Sequence, residues 1–559
     1  MQRELFAITS AIAVALAFAL PARSAPDLIV VNAHIFTADE AHPFAEALAV
    51  EHGRFSAVGA NTQVRRLAAS GTRIIDAGGR LVTPGLFDQH IHVNAPPPGR
   101  FVPLPNIPFP GPTSEETLAG IARAATAGPG WLLAIASYAH LEDPRNWRGA
   151  LDAVAPDNPV VLEGCCGHLM ILNSRALEAL GITDDVENPI GGAWRRDAAG
   201  RLNGIVEEYA AVLVSQRLAA FDPTGAAAGA RYRQVADAYV RWGVTSISQM
   251  ASDAPVAQVR AGLVRAQVPL RWNVYAFGQA LSSIDDAWRE VNQDQAPWPT
   301  HTRLAGSKWI LDGSPLERNA FMREDYADRP GVRGHSNYSD SQLREILVGA
   351  LASSRQVALH VVGDAESERL LKAMEALAPA ERWRRIRVRV EHGDAFSGEL
   401  LTQASALGIV IVQNPIHLGG LVMQDGRSLL EVRLGARLPE FGLLRGIESA
   451  HVPLALASDA SSADPTGNPF LQMMFATSRP ARPEEALTRE RALLAYTKGA
   501  AYASRDESHL GQIKPGMDAD LAILSQDVLS VPAEALPATT SMMTLVGGDV
   551  VYAAAPFAK

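Results

Sequence analysis

Short apolar runs alternate with helix-patterned stretches through the middle of the chain. The stretches around residues 341–347 and 365–376 place apolar residues at helical spacing. The runs that predict strands are the one ending at His90-Ile91-His92, followed by 244–250, 270–276, 308–313, 357–362, 386–392, 408–413 and 454–459. Strands that alternate with helices indicate βα units and a parallel sheet. Eight units predict an α/β fold, a (β/α)8 barrel of the TIM type, with chemistry at the carboxyl ends of its strands.

The two ends of the chain show short strand-like runs separated by glycine turns. These runs occupy residues 28–37, 47–59 and 73–77 near the start, and 520–524 and 543–552 near the end. They predict one small β-sandwich domain built from residues 25–83 and 506–559. The barrel would then span residues 84–505.

A long segment separates the first two predicted barrel strands. Residues 93–243 exceed what one helix and its loops need, so we expect a large insertion there. It opens with a proline-rich stretch, residues 94–112, whose prolines disfavour a helix or a central strand. We expect this stretch to form a wall or lid over the active face of the barrel. The alternative is a stiff loop on the protein surface.

Residues 1–24 differ from the rest of the chain. Arg3 precedes a continuous apolar run from Leu5 to Leu20, and small residues follow up to Ser24. The pattern predicts a secretory signal peptide that is cleaved after Ser24. An uncleaved membrane anchor is the alternative, but the run is shorter than the roughly 20 residues that a comfortable span needs. We therefore expect an exported protein, periplasmic or secreted, with no membrane association after cleavage.

Composition narrows the class of protein. The 559 residues are 47% hydrophobic and 20% charged, as in ordinary folded proteins. A formal net charge of −10 and the lack of a basic cluster argue against a nucleic-acid partner. The two cysteines are neighbours, Cys165 and Cys166, and could pair only in a strained ring. We expect two small buried residues there instead of a disulfide or redox pair.

Several predicted strands end in residues that bind metals. His90 and His92 stand two residues apart, so strand alternation turns both imidazoles to one face. Later strand ends add His360, His392 and Asp459. Imidazole and carboxylate together suit Zn²⁺ or a similar first-row ion, which lowers the pKa of its bound water and makes hydroxide available. The pattern predicts a centre for one or two divalent ions at one rim of the barrel.

Lys308 lies in another predicted strand, in Gly306-Ser307-Lys308-Trp309. An unmodified ammonium would repel a dication, whereas CO₂ converts the amine into an anionic carbamate that can bridge two ions. Alternation places Asp312 on the same face as Lys308. The residues alone leave Lys308 and Asp312 as alternative bridges.

With these segments the chain resembles the metal-dependent amidohydrolase superfamily. The resemblance is to the branch called amidohydrolase family 3 or YtcJ-like, which includes N-substituted formamide deformylase-like proteins. The matching segments are residues 83–92 (Thr-Pro-Gly-Leu-Phe-Asp-Gln-His-Ile-His), 167–168 with 173–177, 204–208, 308–314, 360–365, 391–392, 413–415, 458–459, 496–497 and 511–521. They cover nearly the whole mature chain in the order of the family.

The resemblance implies a role for each matched position. Those that would hold metal are His90 and His92 for one ion, His360 and His392 for the second, carboxylated Lys308 as the bridge, and Asp459 as a further ligand. Asp459 would also act as general base and later as general acid.

Two positions of the insertion, His168 and Glu208, match residues that would face substrate. The alternative is that they make internal polar contacts of the insertion. The chain departs from the family pattern at residues 315–319, where a small, glycine-containing segment is usual. This departure lies where substrate would be gripped, so it leaves the identity of the substrate open but not the chemistry. Asp312 and Arg318 are also expected to contact substrate.

The expected protein is an exported hydrolase that adds water to a carbon–nitrogen bond, an amide, of a small-molecule substrate. Metal-bound hydroxide would attack, and Asp459 would carry the proton. An ester or lactone hydrolase on the same site is the alternative. A barrel that has lost catalysis and only binds is disfavoured, because all six ligand positions hold competent residues. The sequence leaves the substrate, the number of ions and a homo-oligomer open.

Overall fold

The computed structural model describes residues 25–94, 99–105, 111–137, 140, 143–164, 167–277, 283–419, 426–461, 465–479 and 482–558. The expected signal peptide, the Cys165-Cys166 pair and residues 95–98 and 106–110 of the proline-rich stretch lie outside these ranges.

Eight parallel strands form the central sheet. They are β1 (Leu86–Ile91), β2 (Val244–Ala251), β3 (Arg271–Ala276), β4 (Thr302–Ile310), β5 (Gln356–Val361), β6 (Arg389–His392), β7 (Val410–Gln413) and β8 (Leu454–Leu456). Each strand pairs with the next, and a bridge between Ile91 and Ala460 joins the two edges where β1 and β8 end. The predicted α/β barrel is confirmed.

Helices follow the barrel strands and pack against them. The α-helices from residue 226 onward are Ala226–Val240, Val256–Ala266, Ile284–Gln293, Asp340–Ala352, Asp364–Leu377, Ala380–Ile386, Glu399–Leu407, Leu429–Leu434, Leu444–Ser449, Pro469–Thr477, Arg489–Tyr496 and Lys498–Ala503. Short 3₁₀ helices span Pro415–Leu418, Gly435–Glu440, Pro465–Gly467, Pro483–Glu485 and Ala533–Ala538. Helix Asp340–Ala352 shows why the sequence is helical there. A capping box of Ser339 and Gln342 begins it, and one apolar face is buried.

Strands from both ends of the chain form two further sheets. One contains, in spatial order, Arg54–Gly59, Ala47–Glu51, Leu28–Val31 and Arg73–Asp76, and the other contains Asp549–Ala553, Ser541–Val546, Leu521–Leu524, Leu81–Pro84, His34–Phe36 and Phe44–Ala45. A helix, Asn61–Arg65, lies beside the first sheet. Leu48 and Phe55 of the first sheet share one buried core with Val82, Leu521 and Met543 of the second.

The segment between β1 and β2 carries its own mixed sheet. In spatial order its strands are Gly192–Arg196, Leu202–Glu208, Leu169–Leu172, Val160–Gly164, Leu132–Ala136 and Arg100–Phe101, and its helices are Ser114–Ala125, Trp147–Val154, Ser174–Ala179 and Tyr209–Ala219. Alternate residues of the central strands pack into two separate cores. Val161 and Met170 belong to one core, and Leu162 and Ile171 belong to the other. Both faces of this sheet are therefore covered.

The sequence pattern misplaced some strand boundaries. Residues 82–92 resemble one strand, but Leu81–Pro84 belongs to a terminal sheet and β1 begins at Leu86. Gly85 separates the two strands, and a Cβ atom there would lie 2.0 Å from Oγ1 of Thr245. Only glycine allows the chain to pass this close to β2. Among the described residues, none of the helices combines the length and apolar character needed to cross a membrane.

Candidate metal centre

Three side chains meet where β1 and β8 end. The Nε2 atoms of His90 and His92 are 3.3 Å apart, and Oδ1 of Asp459 lies 3.3 Å from the first and 3.4 Å from the second. Ligand atoms around a tetrahedral Zn²⁺ are about 3.3–3.4 Å apart, because its bonds are about 2.0–2.1 Å long. The triangle therefore has the dimensions that one such ion requires, and the donor set fits the predicted group.

The backbone holds this triangle in place. The Asp459 N–H donates to the carbonyl of His90 at 2.8 Å, which joins the ends of β1 and β8. Asp88 adds a second link, since its Oδ1 accepts from the backbone N–H of Ser458 at 3.0 Å and of His90 at 3.3 Å. Asp459 has a φ of 55°, a left-handed conformation that non-glycine residues adopt at a cost.

The remaining predicted ligands lie directly beside the triangle. Nζ of Lys308 is 3.4 Å from Nε2 of His90. The ring of His392 lies 5.0 Å from that of His90 and 4.4 Å from that of His360, measured between centroids. The structure thus brings together all six residues that the sequence predicted as metal ligands.

Hydrogen bonds fix which ring nitrogen carries hydrogen in the three buried histidines of the site. Because the partner is an acceptor in each case, the donors are Nδ1 of His90 to Glu391 at 2.6 Å, Nδ1 of His392 to Asn414 at 2.8 Å, and Nε2 of His360 to the Gly313 carbonyl at 3.4 Å. The other nitrogen of each neutral ring keeps a lone pair. That is the form in which histidine binds a metal.

Burial keeps these imidazoles neutral. It lowers the pKa of His90 to about 4, with the Lys308 charge contributing, and holds the pKa of His360 and His392 well below the usual range. Burial alone would raise the pKa of Asp459. The neighbouring histidines, of which His90 has the largest effect, outweigh burial and hold this pKa well below its ordinary value. His90, His360 and His392 are therefore neutral and Asp459 is ionised at neutral pH.

Comparison with known proteins identifies the family of the chain. The profile described as the amidohydrolase family matches residues 73–552, which is most of the sequence.

The chain belongs to the amidohydrolase family.

Similar proteins cover this amidohydrolase almost end to end. It is 27% identical to Protein LONG AFTER FAR-RED 3 of Arabidopsis thaliana, over 95% of this chain and 92% of that protein. It is 28% identical to N-substituted formamide deformylase of Arthrobacter pascens, over 94% and 98% of the two chains. A metal-dependent hydrolase from Pyrococcus horikoshii shares the fold, with a TM-score of 0.67, 20% identity and coverage of 91% and 99%. The resemblance and the expected enzyme class, a hydrolase of carbon–nitrogen bonds, are confirmed.

The insertion of this amidohydrolase reaches the candidate metal centre. Nδ1 of His168 lies 2.9 Å from Oε2 of Glu208, and the ring of His168 lies 4.9 Å from that of His360, edge to face. The Glu208 N–H donates to the His168 carbonyl at 2.8 Å, so the two residues are neighbours in the sheet of the insertion. They pair with each other and also form a wall of the site.

Asp312 lies in a different environment from the one that the sequence predicted. Both oxygens of its fully buried carboxylate accept backbone N–H groups, from Val362 at 3.0 Å, Gly363 at 2.8 Å and Phe321 at 3.0 Å. Strand β4 already ends at Ile310, so alternation does not extend to Asp312. Its observed role is to hold the loops after β4 and β5, which corrects the expectations of a bridge or a substrate contact.

Arg318 forms an ion pair within the loops beside the site. Its guanidinium donates to both oxygens of Asp328, with Nε at 3.1 Å and Nη2 at 2.6 Å, and Arg433 pairs with the same carboxylate. The ion pair packs the loop after β4 against helix Leu429–Leu434. The departure from the family pattern at residues 315–319 therefore supports loop structure, and a contact of Arg318 with substrate stays a prediction.

Sequence reasoning gave no role to Glu391. Its Oε1 accepts from Nε of Arg389 at 2.8 Å while its Oε2 accepts from His90, and all of these groups are buried. Arg389 outweighs the raising effect of burial and, with His90, lowers the pKa of Glu391. The available signal was a pair of opposite charges, Arg389 and Glu391, two residues apart in a predicted barrel strand.

His417 is a second residue that the sequence reasoning left without a role. It lies in the 3₁₀ helix after β7, and its Nε2 is 3.6 Å from Oδ2 of Asp459. His392, His417 and Asp459 offer ligand atoms within 4.8 Å of one another. The sequence signal was only a histidine three residues after Asn414.

Replacing Glu391 by glutamine is expected to weaken metal binding by about 10–100-fold, because the partner that orients a ligating histidine tunes its affinity. Competition with a chromophoric chelator measures the metal dissociation constant of E391Q and of the wild type. Glu381→Gln, at an exposed helix position, is the matched control. An unchanged dissociation constant in E391Q would show that His90 is not a ligand that Glu391 orients.

Proposed function

We propose that this amidohydrolase cleaves an amide bond of a small molecule with a divalent ion held by His90, His92 and Asp459. The observation that carries the proposal is the triangle of donor atoms with edges of 3.3, 3.3 and 3.4 Å. Two imidazoles and a carboxylate favour Zn²⁺ among the first-row ions. The similarity to N-substituted formamide deformylase supports an amide as the bond that is cleaved.

A bound divalent ion would polarise the substrate carbonyl and lower the pKa of a water molecule. Asp459 acts beside it as general base and then general acid. It accepts one proton from water and passes it to the departing nitrogen, so that the products are a carboxylic acid and an amine. The left-handed backbone of Asp459 and its bond to the His90 carbonyl fix the carboxylate at this position.

Lys308 is proposed to join the centre as a carbamate. Burial lowers the pKa of Lys308 to about 8, against the opposing effect of Glu391 and Asp459. A lowered pKa supplies neutral amine near neutral pH, and the amine reacts with CO₂ to give a carbamate and release one proton. The carbamate is an anionic oxygen ligand, whereas the ammonium would repel the ion. Its place beside His90, His360 and His392 supports the bridging role.

Substrate reaches the centre from one side. Of the side chains around it, His92, Asp459 and His417 are 26%, 19% and 37% exposed, whereas His90 and Glu391 are fully buried. The proposed approach is therefore across Asp459 toward the ends of β1, β7 and β8. The apolar run at residues 5–20 supports the further proposal that the enzyme acts after export.

Metal removal combined with a substrate panel tests this function. Dialysis against a chelator is expected to abolish hydrolysis, and Zn²⁺ is expected to restore it. The panel pairs each N-substituted amide with the ester of the same acyl group, and the amides are expected to be turned over. Activity that survives complete metal removal would contradict the proposal, as would metal-loaded enzyme that cleaves only the esters or none of the panel.

A further inference from the structure

The two oxygens of Asp459 face different neighbours. Oδ1 completes the triangle with His90 and His92, whereas Oδ2 lies 3.6 Å from Nε2 of His417. If Oδ1 is a metal ligand, Oδ2 is the oxygen that remains to exchange a proton with substrate. The atom that receives this proton must then lie close to Oδ2, and therefore close to His417.

The fold holds His417 firmly at this place. The 3₁₀ helix Pro415–Leu418 follows β7 directly, and the His417 N–H donates to the Asn414 carbonyl at 3.0 Å. The buried side chain of Gln472 accepts the N–H of Ile416 at 3.0 Å. The ring of His417 stacks on that of His392, with centroids 5.9 Å apart and planes 29° apart. One ring face is thus supported, and the side chain stays 37% exposed on the substrate side.

We propose that His417 is a catalytic residue that donates a hydrogen bond to the leaving nitrogen or its substituent. The inference rests on the proposed function, in which Asp459 Oδ2 gives a proton to that nitrogen. As the carbon–nitrogen bond breaks, its electron pair passes to nitrogen, Asp459 supplies the proton, and His417 stabilises the charge that develops there. His417 then determines which amines can depart.

A ligand role is the competing explanation, because His392, His417 and Asp459 could together hold an ion. Two features favour substrate contact. The 3.6 Å separation from Oδ2 exceeds the 3.3–3.4 Å edges of the triangle, and His417 is more exposed than His90 or His92. The two roles differ in their effect on metal content.

The test uses His417→Phe, which keeps a ring to stack on His392 but removes the donor, and His417→Gln, which keeps a donor. Substrates share one acyl group and carry amines from 4-nitroaniline to alkylamines. In H417F, kcat/KM for alkylamides is expected to fall about 10–100-fold, which corresponds to the free energy of a hydrogen bond to a charged group. For the 4-nitroanilide, kcat/KM is expected to fall less than about threefold. H417Q is expected to recover part of the loss. Metal content by inductively coupled plasma mass spectrometry is expected to match that of the wild type.

Three outcomes would overturn the proposal. They are an equal loss on every amide, full activity on the alkylamides, or a lower metal content in H417F, which would make His417 a ligand. His417→Ala replaces H417F if the phenylalanine variant does not fold. His42→Gln, at an exposed position in the turn before strand Phe44–Ala45, is the control. Turnover of the series by the wild type tests the proposed function itself, whereas the ratio of variant to wild type tests His417 alone.

Discussion

Asp459→Asn is expected to lower kcat by about 10²–10⁴-fold, the usual contribution of a general acid–base group. The variant loses the carboxylate that carries the proton, but His90, His92 and Lys308 still surround the ion, and the asparagine oxygen can replace one donor. Most of the metal is therefore expected to remain when the ion is supplied in excess. Steady-state kinetics on an amide substrate and metal analysis of the same sample measure both quantities.

The control for D459N is Asp157→Asn, an exposed position far along the chain from the metal centre. Its kcat and metal content should match those of the wild type. Wild-type turnover in D459N would exclude Asp459 as the proton carrier. Complete loss of metal from D459N under excess Zn²⁺ would instead show that the carboxylate acts mainly as a ligand.

Metal loading is expected to depend on CO₂ through Lys308. An ammonium 4 Å from a cation is repelled by about 4 kcal/mol per unit charge at an effective dielectric constant of 20, enough to weaken binding of a dication severely. Apo-protein reconstituted with Zn²⁺ in bicarbonate should therefore bind more metal than apo-protein reconstituted in CO₂-free buffer. Because the amine must be neutral to react and its pKa is about 8, carbamate should form faster as the pH rises through 8.

Two variants isolate the role of Lys308. Lys308→Arg keeps a positive charge but cannot form a carbamate at neutral pH. Lys308→Ala removes the positive charge and the amine that would form the carbamate. Neither variant should respond to bicarbonate, and K308A should regain metal in the presence of a short carboxylate such as propionate. Equal metal loading of the wild type with and without CO₂ would contradict the carbamate.

The barrel, and the convergence of the proposed ligands at one rim, could be predicted from sequence for a clear physical reason. Parallel strands place their carboxyl ends on one rim, so a histidine or aspartate at each strand end converges with the others without knowledge of the loops. His90, His92, His360, His392 and Asp459 follow this rule, and the structure brings them together. Lys308 was added by the family resemblance, and the structure places its Nζ 3.4 Å from Nε2 of His90.

The residues around the ligands could not be predicted in the same way. Glu391 and Asn414 act through contacts between different strands, and no spacing within one strand encodes those contacts. Asp312 was misplaced because alternation was extended past the end of β4 into a loop. The ion pair of Arg318 with Asp328 was not predicted because both residues lie in one loop region, where sequence pattern does not fix geometry.

Placement of the ion by anomalous X-ray scattering tests the central claim most directly. Crystals grown with Zn²⁺ in bicarbonate, with data collected on both sides of the zinc edge, would locate every bound ion. The structure predicts a peak inside the triangle of His90 Nε2, His92 Nε2 and Asp459 Oδ1, about 2.0–2.2 Å from each atom. A fully loaded crystal with no peak among these three atoms would contradict the account.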